Sequence, residues 1–201
     1  MLGAPAALFL VAAPAAAQLE KCADYMKMPA AGSWVEYQTE EGSIRMSVLG
    51  EEEHDGKKMQ RLEMSIGGAG GSIVQMVVPG WPYQPDGIEE MVMKTGDQPA
   101  MKVSGQMMNM MRQNMKTPTA QMADACERME DLGTETVTVP AGTFETRHYR
   151  DQETGGEVWV DADLPFGMVK AVTKEGEMVL TAHGTDAKSR ITETPMEMPG
   201  F

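Results

Sequence analysis

Aromatic residues are scarce: three tryptophans, four tyrosines and four phenylalanines are all that 201 residues contain. A core built from this chain must take its bulk from other side chains. Positive charge is also short, with 17 Lys and Arg against 30 Asp and Glu and a formal net charge of −13. Such a surface repels phosphate backbones and anionic headgroups, which argues against a nucleic-acid partner and against electrostatic membrane docking. Beyond residue 17 there is no second long apolar run, so nothing reads as a transmembrane helix and an integral membrane protein is not expected. Histidine is limited to His54, His148 and His183, each in a different strand or turn region, without H-E-x-x-H or other paired-ligand spacing. There is no Cys-x-x-Cys, no G-x-S-x-G elbow and no phosphate loop, and the glycines at 67, 68, 70 and 71 lack the strand-to-helix context of a dinucleotide site. Carboxylate runs at Glu51-Glu52-Glu53 and Glu89-Glu90 read as solvated turns, although two carboxylates meeting across a sheet could act as acid and base. No enzyme and no cofactor are expected.

What is present begins with the N-terminus, MLGAPAALFLVAAPAAAQ, an uncharged apolar run ending in the small residues Ala15, Ala16 and Ala17. It reads as a secretory signal peptide with an A-x-A cleavage site, too short to span a membrane. The expected organisation is a signal peptide over 1–17 and one domain over 18–201, exported to the periplasm or secreted. An exported chain meets an oxidising compartment, so Cys22 and Cys126 are expected to pair. Their settings agree: Leu19, Cys22, Ala23 and Met26 share one helical face, as do Met122, Ala125, Cys126 and Met129. The alternative is two buried thiols.

Methionine supplies what the aromatics do not, at 21 residues. In IRMSVLG, Ile44, Met46 and Val48 alternate with Arg45 and Ser47; in KMQRLEMSI, Leu62, Met64 and Ile66 alternate with Arg61, Glu63 and Ser65. Period two means strands with one wet face. His54-Asp55-Gly56 separates these two strands as a hairpin turn. Further strands are predicted over 34–39, 72–78 and 88–94 and, after Gly133, in ETVTV, TFETRHY, EVWVD, MVKAVT and MVLTAH. Helices are predicted over 19–28 and, as a pair divided at Thr117-Pro118, over 104–131. The order helix, five strands, two helices, five strands lacks strand-helix-strand alternation and so excludes a doubly wound parallel sheet. The fold expected is α+β: a curved antiparallel sheet, or half-barrel, with helices packed on its concave side.

QMMNMMRQNM at 106–115 is the sharpest local feature. At about 100° per residue Met107, Met108, Met111 and Met115 share one face, opposite Asn109, Arg112 and Gln113. Three readings stay open. The face packs on the sheet as core; or it lines a cavity for an apolar ligand, since methionine adapts to varied partners; or Met108, Met111 and Met115 gather thioethers for Cu(I).

The element order, with VPAGTFETRHYR, EVWVDADLPFGMVKAV and AHGTDAKSRI near the C-terminus, resembles the bacterial lipoprotein carriers of the LolA and LolB type and exported families of unknown function with LolA-like β folds. The resemblance implies a half-barrel plugged by helices and a binding or chaperone-like role toward a hydrophobic small molecule or an acylated protein. The readings from other classes are a methionine-rich periplasmic copper binder and a structural envelope protein without ligand.

Overall fold

The structure is a computed structural model and describes residues 28–67, 70–81, 83–103, 105–114 and 125–198. Twelve strands form one sheet: β1 Trp34–Thr39, β2 Gly42–His54, β3 Lys57–Ile66, β4 Ser72–Val78, β5 Glu90–Thr95, β6 Met101–Val103, β7 Met129–Val139, β8 Gly142–Asp151, β9 Glu157–Val160, β10 Met168–Thr173, β11 Gly176–Gly184 and β12 Met196–Glu197. Their order is β12-β6-β5-β4-β3-β2-β1-β11-β10-β9-β8-β7. Two meanders, β1 to β6 and β7 to β11, are therefore each built from sequential antiparallel neighbours and joined side by side where β1 pairs with β11. Among the described strands only β12 pairs in parallel, on β6.

This corrects the expected α+β fold. A single large sheet dominates, rather than a half-barrel with helices packed over its concave side. Among the described residues helix is confined to α1 (Gly105–Asn114), a turn at 125–128 and a 3-10 turn at Pro85–Gly87. The helix expected up to 131 gives way to β7, which pairs with β8 from Met129 opposite Asp151 onward. The ladder supplies partners for backbone groups that a lone helical end leaves unsatisfied. The helix expected over 19–28 lies, but for its last residue, outside the described residues, as do Met115 and Cys22. No free cysteine stands among the described residues.

The alternation in the sequence places the core. One cross-strand row on the apolar face runs Val48, Leu62, Met76, Met91, Val103, and the next runs Val35, Met46, Met64, Val74, Met93, Met101. Side chains directly opposite each other lie close enough to pack, so each row is a continuous apolar ladder. Methionine occupies six of these eleven positions, which is where much of the excess is spent. A tight turn through Asp55 and Gly56, both at positive φ (50° and 75°), holds the β2–β3 register.

The opposite face carries Ser47, Glu63 and Gln75 in one row. These are buried, not wet, because the chain returns over them after β11. Asp186 accepts a hydrogen bond from Trp34 Nε1 (2.8 Å), Ser189 Oγ and the Arg190 amide donate to Glu63, and Ile191 fits among Ile73, Val92 and Ala100. Glu193 then pairs with Lys94. In the other meander the β7–β8 hairpin tip bends back on the sheet: the Ala141 amide donates to the Leu180 carbonyl (3.3 Å), and Val139 packs with Val35, Tyr37, Leu164, Val169 and Leu180. Burial pushes the Tyr37 phenol well above its ordinary range, and its hydroxyl donates to the Met168 carbonyl (3.0 Å).

Asp151 ends β8 and ties the following turn. Its Oδ1 accepts the Thr154 and Glu153 amides (2.9 and 2.8 Å), and its Oδ2 accepts the Arg128 guanidinium (3.1 Å). The Thr154 amide bond above all, with Arg128 and the Glu153 amide, outweighs burial and brings its pKa from 3.8 down to about 2. A carboxyl depressed in the folded state stabilises fully above its unfolded value and loses that stabilisation as pH falls through the folded one. Asp151→Asn is therefore expected to be less stable than the parent at neutral pH, with the difference shrinking as pH drops from about 4 toward 2. Urea denaturation across that range measures it; a gap independent of pH would refute the assignment.

Candidate functional site

Between the apolar face of β2, β3 and β4 and three aromatic side chains lies a cleft of about 90 Å³. Met46 and Met64 come from one apolar row, Leu62 and Met76 from the other. Trp81 and Tyr83 reach over from the loop between β4 and β5, where the proline-rich run PGWPYQP at 79–85 precludes a strand. Trp81 meets Tyr83 edge-on (5.7 Å between centroids, 63°) and Phe166 almost perpendicularly (6.2 Å, 88°). Tyr83 donates its hydroxyl to Met76 Sδ (3.4 Å), and burial raises its pKa. The cleft wall is almost wholly apolar, which suits a ligand without polar groups at that end.

Phe166 comes from the β9–β10 connection, a turn closed by hydrogen bonds from the Leu164 amide to the Asp161 carbonyl (3.2 Å), from Gly167 to Leu164 (3.0 Å) and from Asp161 to Gly167 (2.8 Å). The turn holds Phe166 at φ 60° and Gly167 at 74°. On its other side Phe166 lines a larger open cleft of about 430 Å³, with Met28, Ser33, Asp163, Leu164 and His183 among its walls.

The methionine helix lies nearby without lining either cleft. Met108 is buried in the cluster that contains Leu62, Met76, Tyr83 and Met91, with Met107 and Met111 packed at its edge, while Met110 on the far side is half exposed. The Arg112 guanidinium donates to the Ile88 carbonyl. Three of the four expected ligand residues thus meet the sheet's apolar cluster, and the fourth, Met115, lies outside the described residues, so the full copper set is not described either. The aromatic wall escaped the reading of the sequence. The signal available was that Trp81, Tyr83 and Phe166, three of only eleven aromatics, sit in proline- and glycine-bounded turns where no strand or helix could bury them locally.

The remaining candidates for chemistry stay apart. His54 Nε2 contacts Glu52 (3.2 Å), His183 packs on Phe144, and His148 stacks on Trp159 (4.2 Å) between Glu135 and Glu157 (3.2 and 3.3 Å). Two of the acidic runs do meet across the sheet, at Glu52 and Glu90, but Arg61 sits between them. Its hydrogen bond holds the Glu52 carboxyl below its ordinary value; for Glu90 burial works the other way and is outweighed by Lys102 and Arg61. An ion-paired carboxylate held ionised is a poor proton donor. Among the described residues no group of three or more His, Cys, Asp or Glu is placed to hold a metal ion. No described helix is long and apolar enough to cross a membrane.

No protein-family model matches the chain, and no curated protein is significantly similar to it. Among solved structures it is similar to a candidate exported protein with a YmcC-like fold from Bacteroides fragilis, at 13% identity over 79% of this chain and 99% of that one, with a TM-score of 0.38. It is likewise similar to a candidate lipoprotein from Parabacteroides distasonis, at 12% identity over 79% and 98%, with a TM-score of 0.37. Neither is described as a LolA or LolB carrier.

Proposed function

We propose that this is an exported, non-catalytic binding protein for a hydrophobic moiety, a lipid or the acyl group of an acylated protein, acting in the periplasm or outside the cell. The observation that carries the reading is the apolar cleft between Met46, Met64 and Met76 on the sheet and Trp81, Tyr83 and Phe166 above it. Methionine walls re-pack at low cost, which suits a ligand recognised by apolarity and width rather than by hydrogen bonds. The leader-like first 17 residues support export, and the Cys22–Cys126 disulfide belongs to the same proposal.

Native mass spectrometry of the chain extracted gently from the periplasm tests it. The expected spectrum shows a bound apolar adduct and a polypeptide mass lower by the two hydrogens lost on disulfide formation. In Met46→Trp the added indole fills the cleft, and retention of the adduct should fall about tenfold, as expected for losing roughly two buried methylenes. A chain that carries no adduct from any extraction, or an adduct indifferent to Met46→Trp, would remove the cleft as the site.

A further inference from the structure

Among the described residues Phe166 alone lines both the inner apolar cleft and the outer cleft, and it packs against the core of each meander. From its place we infer that Phe166 is a partition that fixes how far a linear alkyl chain penetrates, so that the ligand is a single-chain amphiphile selected by chain length. The inference rests on the binding function proposed above.

Three observations converge on it. The first is conformational. Apart from Asp55 in a hairpin turn, Phe166 is the one described non-glycine residue at positive φ. For a bulky residue this is a strained state, and glycine, which follows it at 167, would adopt it freely. Strain of this kind persists where the side chain itself is needed. Secondly, the turn is closed by backbone hydrogen bonds and by the Asp163 amide donating to Asp161 Oδ1 (2.9 Å), so the ring is carried by a stiff support.

The third is the difference between the two spaces. At about 90 Å³ the inner cleft is well below the roughly 150 Å³ of a cavity that takes up benzene, so it favours a narrow chain end over a ring. The outer cleft is several times larger and presents Ser33, Asp163 and His183 beside Met28 and Leu164, a mixed wall that accommodates a polar head. A chain lying in the outer cleft with its end directed inward meets the Phe166 ring first.

The test measures binding of a homologous series of saturated fatty alcohols, octanol to hexadecanol, whose neutral head suits a wall that carries Asp163, to the mature full-length chain and to its Phe166→Gly variant by calorimetry. For the parent, affinity is expected to rise with chain length and then level off. In Phe166→Gly the plateau should move to longer chains, with about a fourfold gain for each further methylene that becomes buried. Phe166→Leu, which keeps most of the apolar packing, should give a smaller shift in the same direction and serves if the glycine variant does not fold. An unchanged plateau in both variants overturns the partition while leaving the binding function standing. Failure of the parent to bind any member of the series overturns both.

Discussion

Glu63→Ala is expected to release the C-terminal segment from the sheet and to cost about 3 kcal/mol, the usual consequence of leaving buried hydrogen-bonding groups without a charged partner. Glu63 is 3% exposed, and its carboxylate is the acceptor for four donations: Gln75 Nε2 (2.8 Å), Ser189 Oγ (3.2 Å) and the Arg190 amide to both oxygens (3.1 and 3.2 Å). Alanine leaves those donors facing one another under a covering segment that admits little water. Of the other anchors, Asp186 on Trp34 and Glu193 on Lys94 are at the surface and contribute less, while the Ala187 amide on the Gly32 carbonyl (2.8 Å), Arg190 on Ser65 Oγ (3.0 Å) and the buried Ile191 remain in the variant. For a chain of this size the cost corresponds to a melting temperature lower by about 6 to 12 °C. Hydrogen exchange should lose protection over residues 186–193 before the strands beneath them. Retained protection there, with a melting temperature near the parent's, would mean that the carboxylate is not the fastening.

Leu180→Ala should be at least as damaging, at about 3 to 4 kcal/mol, by the loss of buried methyl groups and the cavity they leave. Leu180 is fully buried where β11 meets the returning hairpin tip, against Val35, Tyr37, Val139 and Val169, themselves almost without exposure. The site cannot collapse easily, because its neighbours stand on paired strands whose register is fixed and the Ala141 amide is bonded to the Leu180 carbonyl itself. The expected signature is local as well as global. Denaturant midpoints fall, and exchange rises first at the β7–β8 tip around Val139 and Ala141. A loss below about 1 kcal/mol would show that the tip does not depend on this contact.

Much of the sheet was legible because a strand with one apolar face leaves a period of two. The alternations at Ile44, Met46, Val48 and at Leu62, Met64, Ile66 became the two meeting strands β2 and β3, with the turn where Asp55-Gly56 put it. The short strands were not legible: three residues at β6 and two at β12 are too few to show a period. Nor was the start of β7, since Met122, Ala125, Cys126 and Met129 fit a helical face and only pairing with the distant β8 decides for a strand. Glu63 shows the limit of patterning most directly. It alternates as a wet-face residue should, yet residues 186–193, which carry no period at all, bury it. In α1, Met107, Met108 and Met111 meet the apolar cluster, while Arg112, read on the opposite side, also turns inward to the Ile88 carbonyl; the residues that shape the cleft converge from three strands and two separate turns, and no spacing within any one of them announces the others.

The seam between β1 and β11 has a consequence for how the molecule assembles. Every other antiparallel pair links neighbours in sequence, so both meanders can grow hairpin by hairpin from local contacts. At the seam, Thr181 Oγ1 donates to the Glu36 carbonyl across 145 positions of chain. Neither meander can close it until both exist, and until then each exposes an unpaired edge, β1 on one and β11 on the other, to whatever strand comes near.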